Sequence, residues 1–131
     1  MSEVCRALLI HDQDQPLDQL TEILENLQFE VVRTRSCGEA VLALSEEGVP
    51  TVVFTDVTLP DGTWKDVLHA VRSSNSPVHV ILVSRVVDDP LYITALESGA
   101  ADFVVPPFRE VDVAHIVGSS LKNRKPRKPV V

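Results

Sequence analysis

Short apolar runs rich in β-branched residues alternate along the chain with stretches whose apolar positions recur every three or four residues. The runs are VCRALLI (residues 4–10), FEVVRT (29–34), TVVFT (51–55), VHVILVS (78–84) and ADFVV (101–105). Several are nearly continuous in apolar residues, as strands covered on both faces are. Between the first two, Leu17, Leu20, Ile23, Leu24 and Leu27 form one apolar helical stripe, with Pro16 where a first turn tolerates it. Ser36 and Glu39 fit a capping box for a second helix, which runs through Ala40, Val41 and Leu44 to Gly48. A third helix, over 63–73, carries Val67, Leu68 and Val71 on its core face. A fourth starts near Asp88, Asp89 and Pro90 and stops at Gly99, a natural C-cap. The last runs from Glu110 to Leu121 and presents Val111, Ala114, Ile116 and Val117. Five strands alternating with five helices predict an α/β fold, a doubly wound parallel sheet with helices on both faces.

Length and composition narrow this picture. At 131 residues the chain is one domain, large enough for a core without staples. Cys5 and Cys37 show no metal-binding spacing and read as reduced, structural thiols. The opening residues lack a secretory leader and no stretch is long enough to span a membrane, so the expectation is a soluble, cytoplasmic protein. Net charge is −7, but Lys122, Arg124, Lys125, Arg127 and Lys128 lie together near the C-terminus, which leaves −12 on the rest. An acidic body is a poor partner for phosphate backbones, so nucleic acid is not expected on the globular part. The basic, Pro-rich segment 122–131 reads as a tail or linker after a domain of residues 1–121.

In doubly wound sheets the ligand site lies beyond the carboxyl ends of the strands. His11 and Asp12 follow the first strand, Asp56 the third, Ser84 the fourth, and Pro106 and Pro107 the fifth. Asp12 and Asp56 therefore meet at one sheet edge. Two carboxylates in a shared cleft repel unless a cation bridges them, and Mg²⁺ suits such hard oxygen ligands. Asp56 then becomes a candidate nucleophile for a phosphoryl group, with the Ser84 hydroxyl placed to bond it. The plainer alternative is polar capping of strand ends.

Two segments carry a family resemblance. VVFTDVTLPDGTWKDVL has an Asp after the third strand followed by a Leu-Pro-Asp-Gly turn, and ALESGAADFVVPPF looks like a fifth-strand signature of Ala-Gly-Ala-Asp-aromatic type ending in Lys-Pro-Phe. Over residues 5–121 the chain resembles the receiver domain of bacterial two-component response regulators. The resemblance implies a flavodoxin-like sheet of order 2-1-3-4-5 and a phosphoprotein rather than an enzyme. It makes Asp56 the acceptor of a phosphoryl group from a sensor histidine kinase or phosphotransfer protein. Mg²⁺ would be held by Asp12, Asp56 and the backbone carbonyl of Thr58, with His11 able to reach it through a water. Ser84 and Phe103 would be the switch pair. Output would pass through the fourth helix, fifth strand and fifth helix, by homodimerisation or to an output domain beyond the C-terminus.

Two positions depart from the pattern. His11 replaces one of an acidic pair, removing a negative charge and offering a poor Mg²⁺ ligand; a histidine simply hydrogen-bonded at a strand end is its plainer reading. Pro106 stands where the family has a lysine that pairs with the acceptor carboxylate, while Pro107 matches the family's own proline, before which a cis bond is expected. Arg85 and Arg109 lie close enough in sequence to substitute, though exposed surface arginines are the expectation for both. These losses leave a degenerate receiver, a protein-interaction module with little phosphorylation, as the rival function. An aspartyl phosphatase would need a second Asp where Thr58 stands, and a flavin module would need a phosphate-cradling loop where the acidic HDQDQP lies. Trp64 is expected to pack in its amphipathic helix, Gly62 to supply a positive φ in the 61–63 turn and Thr63 to cap the helix after it. His69, His79 and His115 share no spacing that suggests a function.

Overall fold

A computed structural model describes residues 5–13, 17–46, 50, 52–73 and 78–122. The strands are β1 (Arg6–Ile10), β2 (Glu30–Thr34), β3 (Val52–Asp56), β4 (Thr58–Leu59), β5 (Gly62–Thr63), β6 (His79–Val83) and β7 (Asp102–Val104). The helices are α1 (Leu17–Asn26), α2 (Cys37–Glu46), α3 (Trp64–Ser73), α4 (Asp89–Ser98) and α5 (Glu110–Lys122). Five strands form a parallel sheet in the order β2-β1-β3-β6-β7, which is the expected 2-1-3-4-5 once the small β4–β5 ladder is set aside. That ladder pairs Thr58 with Thr63 and Leu59 with Gly62 around Pro60 and Asp61, and the hydrophobic pattern did not anticipate it.

Side chains alternate across the pleat, so each central strand feeds two cores. Ala7, Leu9, Val52, Phe54, Ile81 and Val83 face α1 and α5, where Leu17, Leu20, Ile23, Leu24, Val113 and Val117 close the layer. Leu8, Ile10, Val53, Val80 and Leu82 face the other way, onto Ala40 of α2, Ala95 of α4 and Trp64, Val67, Leu68 and Val71 of α3. This explains the continuous apolar runs: β3 is buried at all five positions, including the carboxylate-bearing Asp56 at its end. Among the described residues, no helix is long and apolar enough to cross a membrane.

The helix boundaries follow local chemistry. Ser36 Oγ accepts the Glu39 amide at 3.1 Å, and Glu39 reaches back to the Arg35 amide at 3.0 Å, one residue earlier than a strict capping box. Asp88 caps α4 by accepting the Leu91 amide, with Pro90 in the first turn, and Gly99 closes it in the left-handed region at φ 110°. Pro16 and Gly48 lie outside the described residues.

Three expectations need correction. Val111 is 68% exposed; α5 docks through Val113 and Val117, a face rotated from the one expected. Val41 of α2 is likewise exposed. Gly62 has no positive φ. Its role is room: a Cβ there would sit 2.4 Å from Asp66 Oδ2 and 3.1 Å from Cys37 Sγ. Asp66 needs that space because its carboxylate accepts the Thr63 amide at 2.9 Å, while Thr63 Oγ1 accepts the Lys65 amide at 3.3 Å, a reciprocal cap on α3. Gly62→Ala should evict Asp66 from this cap and lower unfolding free energy by about 1 kcal/mol. Urea denaturation reads the loss, and an unchanged midpoint would refute the crowding argument.

Candidate functional site

Parallel pairing brings the ends of β1, β3 and β6 level, with Asp56 directly opposite Val83. A cleft of ≈ 260 Å³ opens there, lined by Asp12, Gln13, Asp56, Thr58, Leu59, Pro60 and Arg85. Asp56 is 3% exposed. A buried carboxylate is costly unless paired and hydrogen-bonded, and this one is both. Arg85 Nη1 donates to Oδ1 and Nη2 to Oδ2, each at 2.9 Å, and the Val57 amide adds a third bond to Oδ1 at 2.8 Å. The guanidinium therefore grips the carboxylate in a two-pronged fork.

This overturns the expectation of a surface role for Arg85. The signal was its position two residues past the end of β6, next to the strand that delivers Asp56. Arg109 is a surface arginine, paired with Asp112 one turn along at 3.0 Å.

His11 points elsewhere. It lines a second pocket of ≈ 150 Å³ with Arg33, Thr34 and Arg35. Arg33 Nε donates to His11 Nε2 at 3.3 Å, so the proton resides on Nδ1, which donates to the Gln13 carbonyl. Both ring nitrogens are thus engaged, and the ring itself does not line the cleft. Ser84 is buried, and its hydroxyl is turned into its own loop, donating to the Val86 carbonyl at 2.7 Å. Phe103 is part-buried and meets the Tyr92 ring edge-on, centroids 5.6 Å apart. The Pro106–Pro107 bond is cis, and neither proline lines the cleft. The cleft thus gathers Asp12, Asp56, Thr58 and Arg85, but not His11, Ser84, Phe103 or the prolines.

The cleft floor is tied to α2. Asp61, in the turn beyond Pro60, accepts the Cys37 and Gly38 amides at 2.8 and 3.0 Å, and these bonds hold its carboxyl below its ordinary pKa. Burial, with Asp61 alongside, pushes the Cys37 thiol up to about 11, consistent with a structural cysteine.

A family model for the response regulator receiver domain matches residues 7–118. The chain belongs to the response regulator receiver family. As a receiver it is 26% identical over 116 residues to chemotaxis protein CheY of Bacillus subtilis, covering 88% of this chain and 97% of that protein. It is 35% identical over 101 residues to the transcriptional regulatory protein KdpE of Mycobacterium tuberculosis, covering 77% of this chain but only 44% of that protein. In structure it is similar to a response regulator receiver domain protein from Clostridium thermocellum, with TM-score 0.79, 22% identity and coverage of 91% and 95% of the two chains. This receiver therefore spans nearly all of one curated relative and less than half of the other.

The receiver's histidine makes its stability depend on pH. Burial, seconded by the Arg33 charge, holds His11 below its ordinary pKa despite the bond to Gln13. The unfolded chain takes up this proton at about pH 6.5, whereas the fold resists it to lower pH, so the unfolded state binds more protons in that interval. The stabilisation is complete above pH 6.5 and is lost as pH falls through that value towards the lower folded pKa. Urea titrations at pH 7.5 and 5.5 should give a larger drop for the native protein than for His11→Gln; equal drops would contradict it.

Proposed function

We propose that this receiver is a phosphorylation-switched signalling module in which Asp56 accepts a phosphoryl group from a sensor histidine kinase or phosphotransfer protein. The observation that carries the reading is a buried carboxylate that nevertheless lines an open cleft, with a guanidinium 2.9 Å from both its oxygens. In the transfer, an Asp56 oxygen attacks phosphorus and the new O–P bond forms as the donor's P–N bond breaks. The electron pair returns to the donor imidazole nitrogen. Arg85 then faces phosphoryl oxygens, which its fork matches as well as it matches a carboxylate.

Mg²⁺ fits this cleft in part. Asp12, Asp56 and Thr58 line it, and two carboxylates with the Thr58 carbonyl would offer the hard oxygen donors such an ion takes. Among the described residues, however, no three His, Cys, Asp or Glu side chains are grouped to share a metal, and Arg85 already holds both Asp56 oxygens. When bound, the ion offsets the negative charge of the incoming phosphoryl oxygens. The Thr58 side chain borders the same space and would face the water that hydrolyses the acyl phosphate.

Ser84 and Phe103 form the switch in this reading. Signal leaves through α4, β7 and α5, where Tyr92, Ile93, Leu96 and Val111 are exposed apolar positions suited to a homodimer or an output domain. Residues 1–121 act as the receiver and 122–131 as the linker of a bacterial, cytoplasmic protein.

The Arg85 fork also favours a second reading, a degenerate receiver that keeps the fold for protein interaction while its acceptor stays clamped. Treatment with acetyl phosphate, or with beryllofluoride, at millimolar Mg²⁺ separates the two. Trp64 is buried and its amide donates to the Val57 carbonyl at 3.1 Å, so its fluorescence is coupled to the residue after Asp56. The switched receiver is expected to gain one phosphoryl adduct by intact mass and to change Trp64 emission, both absent in Asp56→Asn. Absence of any adduct or emission change in the native protein would establish the degenerate reading.

A further inference from the structure

We propose that Arg85 is a built-in competitor of the divalent cation: its guanidinium and the metal exclude one another at Asp56, so the site is latched shut by the protein's own cation. This rests on the receiver reading only in taking Asp56 as a ligand of the divalent ion.

The carboxylate oxygens leave little to share. Oδ1 accepts both the Val57 amide and Arg85 Nη1, which uses its two lone-pair directions, and Oδ2 accepts Arg85 Nη2. A small ion demanding near-octahedral geometry at about 2.1 Å from its ligands meets a positive charge bonded to the same two atoms. Charge points the same way. Asp12 and Asp56 contribute two negative charges to the cleft lining, and Arg85 cancels one. His11, which stands where the family's second acid would be, faces the other pocket with both nitrogens engaged. Among the described lining residues, one net negative charge remains for a doubly charged ion.

The latch is built to open. Arg85 remains 39% exposed at its side chain while Asp56 is sealed beneath it, so the guanidinium has solvent to move into. It sits between Ser84, whose hydroxyl is bonded within the loop, and Val86 and Val87, which are 65% and 78% exposed just before the Asp88 cap of α4. Release of Arg85 therefore frees the segment that leads into the exposed face of α4. A proline at 106 cannot supply that link, and Arg85 reaches the same carboxylate from the neighbouring strand.

The test is metal binding by the unphosphorylated protein, followed as free Mn²⁺ by electron paramagnetic resonance. Arg85→Gln should bind Mn²⁺ about ten-fold more tightly than the native protein, since one unit charge within a few ångströms is removed. The gain should vanish when Asp56→Asn is added. Arg109→Gln, whose guanidinium pairs with Asp112 outside the cleft, should match the native protein. Equal affinity in folded Arg85→Gln and native protein, or a gain that survives Asp56→Asn, overturns the proposal. If Arg85→Gln does not fold, Arg85→Lys, which keeps the charge without the two-pronged grip, should still bind Mn²⁺ more tightly than the native protein, and equal affinity overturns the proposal. On the native protein, titration with MgCl₂ should move the Arg85 Nε–H and Val57 amide resonances with one midpoint; an unmoved Arg85 signal while Val57 titrates refutes the latch. Failure of Asp56 to take a phosphoryl group leaves these outcomes unaffected, and their failure leaves a phosphoryl adduct on Asp56 intact.

Discussion

Burial of the central sheet on both faces is the constraint from which the site follows. β3 has no exposed position, and β1 and β6 beside it are buried at four of five positions each, so side-chain chemistry is confined to the strand ends. Parallel pairing places those ends side by side, and the last residue of β3 is an aspartate. A carboxylate in that position needs a partner. The fold supplies one amide from the next residue and a guanidinium from the loop after the neighbouring strand.

Where the counter-charge comes from alters the behaviour of the site. A lysine at 106 would present a point charge from the far side of β6, with flexible reach; an arginine at 85 grips both carboxylate oxygens in one plane. The substitution of His11 for an acid acts in the same direction. Its ring is spent on Arg33 and the Gln13 carbonyl, so it knits β1 to β2 instead of adding charge to the cleft. Together these changes give a site that is nearer charge balance at rest.

Helix α4 is lightly anchored. α4 fully buries Ala95 alone, with Leu91 partly buried on the same core, and leaves Ile93 and Leu96 outward, with Tyr92 resting on Phe103 of β7. Its N-terminal cap, Asp88, follows directly on the apolar, exposed pair Val86 and Val87. Few core contacts mean a low cost for moving this segment. The cleft floor is different: Asp61 caps α2 across the turn, and Thr63 with Asp66 caps α3, so that side is pinned by hydrogen bonds to two helices.

Much of this was legible in the chain alone because its cause is local. Apolar runs and three-four spacing reflect which faces meet solvent, and the caps at Ser36, Thr63, Asp88 and Gly99 act within a few residues. The same locality let Asp12 and Asp56 be placed at strand ends, the family resemblance added Thr58, and all three line one cleft. What the chain could not disclose lies between elements. Whether α5 buries Val111 or Val113 depends on the angle at which it docks, and Asp61 caps α2 only because a turn folds back onto it. Arg85 looks like any surface arginine until the register of β6 against β3 sets it beside Asp56. The sequence by itself determined the elements, their order and the residues at the strand ends, since side-chain period and capping are short-range. Only the tertiary structure decided which cation faces Asp56 and which way His11 turns, because a long, flexible side chain finds its partner by distance in space.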